Sequence, residues 1–322
     1  MTRKIKTVAV VGAGYMGGGI AQVLANGGMS VVIADVSKEA TQHNFERLLR
    51  EAGEFEQQGL FPKGTEANVK ANLRAAVTIE EAVANVDFVE EAVPEIPAIK
   101  AAVFERICSA ARPDAIIGTN TSTLPVHTLV PYVTNPERFL TVHFSNPAPF
   151  IPGVELVCGE ATTQDVVDAV KDMLARANRS SATVADRPGF VLNRLQYVLL
   201  KEANSIVEEG IATPEDVDTI VRSTFGFRLP FFGPFAIADM AGLDVYANCF
   251  KTFESAFGER MATPELLKSL VAAGKFGTKS GEGFSGKFEP EQLAALIAYR
   301  NKAYARMAQL LDDLGPSPIA RK

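Results

Sequence analysis

The sequence predicts an α/β fold: a doubly wound Rossmann-type sheet followed by a second, all-helical domain. Three observations carry this expectation. A glycine-rich loop stands between a first apolar run and a helical stretch, and short apolar runs then alternate with helix-spaced segments as far as residue 185. Beyond Asp186-Arg-Pro188-Gly189 only helical spacing remains, which divides the chain into domains 1–186 and 187–322.

Residues 5–11 begin in alternation and become a continuous apolar run, as suits a strand covered on both faces of a parallel sheet. Residues 15–26 follow as a helix, stopped at Gly27-Gly28, where glycine takes a left-handed cap without steric strain. The second strand is 31–35. From about 39 to 70 the spacing is helical and charged, with a break near Gly59-Leu-Phe-Pro62-Lys-Gly64, which marks an inserted helical hairpin. Such an arm is a lid, an interface or an exposed structural hairpin. Strands are expected at 86–90, 115–118 and 138–143, with a helix over 98–111. A strand near 154–157, a helix over 164–178 and a strand near 182–185 complete the first domain; helices over 192–209, 214–224 and 290–314 belong to the second.

With 322 residues, 47% of them hydrophobic and 22% charged, the chain has enough apolar material for a sizeable core and about two domains. A net charge of −6 without a Lys/Arg run argues against nucleic acid as a partner. It leaves a nucleotide cofactor open, because backbone N–H groups can hold phosphates. Cys108, Cys158 and Cys249 are scattered and lack CxxC spacing, so neither a disulfide framework nor a metal site is indicated, and a reducing cytoplasm is the expected setting. The basic start and short apolar run imitate a signal peptide, yet the run ends in Gly12-Ala-Gly14, as a nucleotide-binding strand requires. No apolar run reaches the roughly 18 residues of a membrane span.

The loop Gly12-x-Gly14-x-x-Gly17 follows a strand, opens a helix through Tyr15 and Met16, and precedes Asp35 at the end of the next strand. Its glycines permit a tight turn, close backbone approach to a pyrophosphate and close helix–strand packing, while the helix N-terminus favours negative charge. Asp35 is suited to accept hydrogen bonds from an adenosine ribose and to repel a 2′-phosphate, which selects NAD over NADP. Lys38 lies close enough to weaken that preference, or is a solvated surface charge.

His143 and Glu155 stand twelve residues apart, His143 at the end of an expected strand, where open α/β sheets bind ligands. An imidazole that takes a hydroxyl proton near neutral pH works best when a carboxylate fixes its tautomer and stabilises the imidazolium. Beside a dinucleotide loop, this is the equipment of a dehydrogenase. His43 and His127 show no metal-ligand spacing and are assigned no chemistry. Tyr197 and Lys201 have the Tyr-x-x-x-Lys spacing of short-chain dehydrogenases, but the glycine spacing and chain position do not match, so they read as helix surface and core. The Phe-rich stretch 225–235 reads as helical-domain core, with part of it open to a pocket or dimer contact.

At Glu91-Ala-Val-Pro-Glu95, Asn120-Thr-Ser122-Thr, His143-Phe-Ser-Asn146-Pro and Pro188-Gly-Phe-Val-Leu-Asn193-Arg the chain resembles the L-3-hydroxyacyl-CoA dehydrogenase family, in order and spacing over nearly its whole length. The resemblance implies that His143 is a general base oriented by Glu155, and that Ser122 and Asn193 contact the substrate oxygen and the nicotinamide region. It also implies cofactor contacts from Glu95, Lys100, Ser122, Asn146 and Lys279 and a homodimeric assembly. On residue chemistry alone, Ser122 is also a turn cap and Asn193 a partner for helix backbone.

The chain continues past Gly283-Phe284 into an expected terminal helix, and its segments 189–197, 207–211 and 289–300 are similar to L-gulonate 3-dehydrogenase and carnitine dehydrogenase. The region from Asn146 to Tyr246 is also similar to a pyridine-carboxylate dehydrogenase of vitamin B6 breakdown. The resemblance therefore implies NAD-dependent oxidation of a hydroxyacyl substrate, first a short-chain L-3-hydroxyacyl-CoA, with a small non-CoA hydroxy acid as competitor and the arm at 39–70 as the discriminating element. A third possibility is an NAD-binding structural protein of the lambda-crystallin kind, which retention of His143, Glu155, Ser122 and Asn193 disfavours.

Overall fold

Strand β1 (Thr7–Val11) lies inside an eight-stranded sheet of order β3-β2-β1-β4-β5-β6-β7-β8, in a computed structural model that describes residues 3 to 318. Its companions are β2 (Ser30–Ala34), β3 (Leu73–Ala75), β4 (Phe88–Glu91), β5 (Ile116–Thr119), β6 (Phe139–Phe144), β7 (Gly153–Cys158) and β8 (Ser180–Ala185). From β3 to β6 every pairing is parallel; β7 runs antiparallel to β6 and parallel to β8. The period of two assigns Val8 and Val10 to one core, with Phe88 and Leu24, and Ala9 and Val11 to the other, with Val89 and Phe104. Two covered faces explain why this strand is a continuous apolar run rather than an alternation.

The helices of this part are α1 (Tyr15–Asn26), α2 (Lys38–Gln57), α3 (Thr65–Asn72), α4 (Ile79–Val83), α5 (Pro97–Ala110), α6 (Val126–Leu129) and α7 (Gln164–Arg176). The short β3 and α4, three and five residues long, were not anticipated, because segments of that length show no resolvable period. The inserted hairpin is α2 and α3, turned by Gly59 and Gly64 at φ 72° and 94°, values that disfavour a side chain. It is no free-standing arm: Leu48 and Ala52 join the sheet core, and the Phe55 ring meets Phe61 at 5.2 Å and Phe150, beyond β6, at 5.6 Å.

By contacts the chain divides into two compact units between Leu199 and Leu200, inside α8 (Leu192–Glu208). The reason is local. The amides of Val191 and Leu192 donate to Glu155 and the Asn193 amide donates to the Ser122 carbonyl, so the first turn of α8 is bonded to the sheet unit.

The second unit contains the rest of α8 with α9 (Pro214–Ser223), α10 (Phe225–Arg228), α11 (Pro234–Ala241), α12 (Leu243–Phe257), α13 (Glu265–Ala272) and α14 (Pro290–Leu314). The expectation of helices alone is corrected by a small antiparallel pair, β9 (Glu282–Gly283) with β10 (Gly286–Lys287). Two residues per strand leave no period to read, and the adjoining turn is held by the buried Asp239 carboxylate, which accepts the Phe284 and Ser285 amides at 2.8 Å each. Phe227, Phe231 and Phe232 pack their rings on Tyr304 of α14, so these phenylalanines are packing residues. Among the described residues no helix is long and apolar enough to cross a membrane.

Candidate active site

The carboxyl ends of β1, β2, β4 and β5 border a cleft of about 670 Å³ whose lining includes Gly12, Gly14, Met16, Asp35, Glu95 and Ser122. Gly12 turns the chain at φ 93°, and a Cβ on Gly17 would stand 1.8 Å from the Gly12 carbonyl oxygen, so α1 approaches the loop as only glycine allows. At Gly14 the position of a Cβ is open, with nothing within 4 Å, which leaves space for a ligand backbone to approach. The first amides of α1 have no intrahelical acceptor and face this end of the sheet, a setting for a pyrophosphate. Asp35 accepts from the Ala13 amide at 2.9 Å and Asn44 at 3.1 Å, which fixes its carboxylate at the tip of β2. The residues present fit a dinucleotide.

His143 and Glu155 face each other as a register pair on the antiparallel strands β6 and β7. Nδ1 of His143 lies 2.8 Å from Oε2 of Glu155. A carboxylate only accepts, so Nδ1 carries a proton; Nε2 makes no hydrogen bond among the described residues. Burial by itself would raise the Glu155 pKa, but the His143 hydrogen bond and the Leu192 and Val191 amides outweigh it and hold the carboxyl below its ordinary range. The imidazole is 5% exposed and packs against Phe190, ring centroids 5.9 Å apart.

Ser122 and Asn193 are brought together: Asn193 Nδ2 donates to the Ser122 carbonyl at 3.0 Å. From the other side, Glu95 Oε1 accepts the Ser122 and Thr123 amides at 3.0 and 3.1 Å and the Thr121 hydroxyl. Burial would raise the Glu95 pKa, but Thr121, the charge of Lys100 and the two amides hold it low. The Ser122 hydroxyl makes no hydrogen bond among the described residues.

Lys100, Tyr15 and Asn146 of the first unit are not among the residues lining the cleft. Lys100 is 1% exposed and its ammonium holds Glu91 at 2.9 Å from each carboxylate oxygen, so it is enclosed beneath the cleft rather than lining it. Tyr15 borders a smaller cavity beside α2, and Asn146 is exposed beyond β6; neither lines the cleft. Lys279 belongs to the second unit, where it pairs with Asp244. His127, assigned no chemistry, binds Asp186, whose carboxylate also caps the start of α6. Two residues escaped sequence reasoning as members of the site. Asn120 lines the cleft and accepts the Phe144 amide at 2.9 Å, fixing the end of the strand that carries His143, while Glu91 anchors Lys100. Both stand inside the quoted motifs, and an Asn at a strand end was the available signal.

The family model described as the 3-hydroxyacyl-CoA dehydrogenase NAD binding domain matches residues 7–187, and the C-terminal domain of the same enzymes matches residues 189–286. The chain belongs to the 3-hydroxyacyl-CoA dehydrogenase family. Like its family, it is an NAD-dependent oxidoreductase. It is 35% identical over 309 residues to the 5-formyl-3-hydroxy-2-methylpyridine 4-carboxylate 5-dehydrogenase of Mesorhizobium japonicum, covering 96% of this chain and 99% of that one. It is also 35% identical over 285 residues to a probable 3-hydroxybutyryl-CoA dehydrogenase of Bacillus subtilis, covering 87% of this chain and 97% of that one. The solved 3-hydroxyacyl-CoA dehydrogenase of Archaeoglobus fulgidus has a TM-score of 0.77 and 29% identity, covering 96% and 99%. Helix α14 lies beyond the family models, which end at residue 286.

Proposed function

We propose that this 3-hydroxyacyl-CoA dehydrogenase family member reversibly oxidises the hydroxyl of a short-chain L-3-hydroxyacyl-CoA to the 3-oxoacyl-CoA. The observation that carries the reading is the His143–Glu155 pair, whose Nδ1–Oε2 hydrogen bond leaves Nε2 without a partner among the described residues. NAD, when bound, supplies the hydride acceptor, held by the glycine loop and Asp35. In oxidation His143 Nε2 takes the hydroxyl proton and Glu155 stabilises the resulting imidazolium. In reduction the imidazolium returns that proton to the forming alkoxide. Ser122, at the border of the cleft, orients the substrate oxygen, and Asn193 keeps the serine backbone in place. Cytoplasmic location and a homodimer belong to the same proposal; exposed Leu310, Leu311 and Leu314 on α14 support assembly.

A second reading, a small free hydroxy acid, has its own observation. On the hairpin, Arg47, Arg50 and Lys70 are each paired with a carboxylate one turn away, Glu51, Glu54 and Glu66, which spends cations that would otherwise meet CoA phosphates. One experiment tests both readings: NAD reduction with 3-hydroxybutyryl-CoA, L-gulonate and L-carnitine, by the native chain and by His143→Gln. The first reading expects turnover of the thioester, lost about 10²–10⁴-fold in the variant with NAD affinity retained. Turnover of free acids alone replaces it with the second, and equal loss of turnover and NAD binding in the variant removes His143 from the role of base.

A further inference from the structure

We infer that Arg47, on the inserted hairpin, is a positioning residue for the dinucleotide: it holds the glycine loop so that two loop amides are turned toward the cleft. This rests on the reading of that loop as the pyrophosphate site. Arg47 stands midway along α2 with its side chain 21% exposed, and it borders the smaller cavity beside Tyr15 rather than the cleft. Its Nη2 donates to the Ala13 carbonyl at 3.1 Å, to the Gly14 carbonyl at 3.3 Å and to Asn44 Oδ1 at 3.2 Å. Nη1 meets the Glu51 oxygens at 2.9 and 3.0 Å, which neutralises the charge and leaves hydrogen bonding as the effect on the loop. Helix α1 makes room for this reach with Gly18, where a Cβ would stand 2.9 Å from Nη2.

What the guanidinium holds decides the direction of the loop. A trans peptide points its C=O and N–H to opposite sides. With the carbonyls of Ala13 and Gly14 drawn to Arg47, the amides of the same two peptides, those of Gly14 and Tyr15, point away from it. Neither amide has an acceptor among the described residues, and Gly14 lines the cleft with open space about it. The Gly14 carbonyl also accepts the Gly18 amide at 2.8 Å, whereas the Ala13 carbonyl has no donor other than Arg47 among the described residues. Glycine at position 14 imposes little preference of its own on that peptide, so its orientation depends on the hold. Ala13 is gripped at both ends, Asp35 accepting its amide at 2.9 Å and Arg47 donating to its carbonyl. Asn44 links the two grips: Oδ1 accepts from Arg47, and Nδ2 donates to Asp35 at 3.1 Å.

Removing the guanidinium leaves the Ala13 carbonyl unpaired, and the Ala13–Gly14 peptide becomes free to turn, which takes the Gly14 amide away from a phosphate. The test uses the full chain as Arg47→Met and as Glu51→Gln/Arg47→Met, which keeps the net charge of the native chain, with Gly14→Ala as the reference. Calorimetry measures the binding of NAD, of ADP-ribose, which retains the pyrophosphate, and of adenosine, which lacks it. Both Arg47 variants should bind NAD and ADP-ribose about tenfold or more weakly, the loss that accompanies a weakened hydrogen bond to a charged group, while adenosine affinity changes less than about threefold. Adenosine is spared because Asp35 keeps the Ala13 amide. A residue that only stabilised the fold would not separate the two ligands in this way. Unchanged affinity for NAD and ADP-ribose in both variants, or an equal loss for adenosine, overturns the proposal. If Gly14→Ala weakens ADP-ribose and the Arg47 variants do not, the proposal alone fails; if Gly14→Ala binds ADP-ribose as the native chain does, the loop is not the pyrophosphate site and both readings fail.

Discussion

Glu90 is the residue whose replacement should change stability most informatively. It sits in the central strand β4, is 0% exposed, and neither carboxyl oxygen has a hydrogen-bond partner. Its room comes from Gly118 on the neighbouring strand, where a Cβ would stand 2.4 Å from Glu90 Oε2 and 2.7 Å from the Phe88 ring. Burial first, and then the charge of Glu91, push the carboxyl pKa well above its ordinary 4.5, with Lys100 offsetting part of this, so the folded chain holds the proton to higher pH than the unfolded chain does. In the unfolded chain the same group ionises above about pH 4.5. The sign follows: the unfolded state binds fewer protons, so this residue lowers stability as pH rises through that window, by about 1.4 kcal/mol per pH unit while the folded group stays protonated. Glu90→Gln preserves shape and removes the titration. In urea unfolding followed by circular dichroism at pH 5.5 and 6.5, the native chain should lose stability relative to the variant, with about 1.4 kcal/mol per pH unit as the upper limit for one proton. Parallel pH dependences of the two proteins would refute the assignment of a buried, protonated carboxyl.

Three further perturbations test the remaining links. Glu155→Gln should lower kcat by about 10²–10⁴-fold with NAD affinity retained, read by steady-state kinetics. Because the Glu155 pKa is lowered in the fold, its ionised form contributes stability above the ordinary carboxylate range and loses it as pH falls through the depressed value, so the variant's acid unfolding should be flatter. Gly17→Ala places a methyl 1.8 Å from the Gly12 carbonyl and should cost about 1–3 kcal/mol in chemical denaturation. Gly14→Ala meets no protein atom within 4 Å and should leave stability unchanged while weakening NAD at least tenfold; equal effects at the two glycines would contradict the roles given to them.

The parts of this molecule that sequence reveals are those with a period or a backbone requirement. The glycine loop, the long strands and α14, expected over 290–314 and found as Pro290–Leu314, are of this kind. The His143–Glu155 contact could be anticipated because the proton transfer proposed for it restricts the residue types that could perform it. Lys100 shows the opposite case. The family resemblance implies a cofactor contact for this lysine, and only the fold reveals Glu91 from β4 beneath it. The division into units by contacts has a similar reason. Composition changes after residue 186, but two amides and one asparagine keep the start of α8 with the sheet.

A common device lies behind these hidden links. Glu155, Glu95 and Asp186 each accept two successive backbone amides: Val191 and Leu192, Ser122 and Thr123, Val126 and His127. The amides at a helix start or in a turn need acceptors, and an ionised carboxylate satisfies two while pinning the segment. In Glu155 the tasks are divided between its oxygens, Oε1 holding α8 and Oε2 orienting His143. Glu95 is divided alike, Oε1 on the Ser122 turn and Oε2 toward Lys100. Each carboxylate therefore makes the position of one working side chain depend on the backbone of another segment. His143, Asn193 and Ser122 are consequently held in one frame.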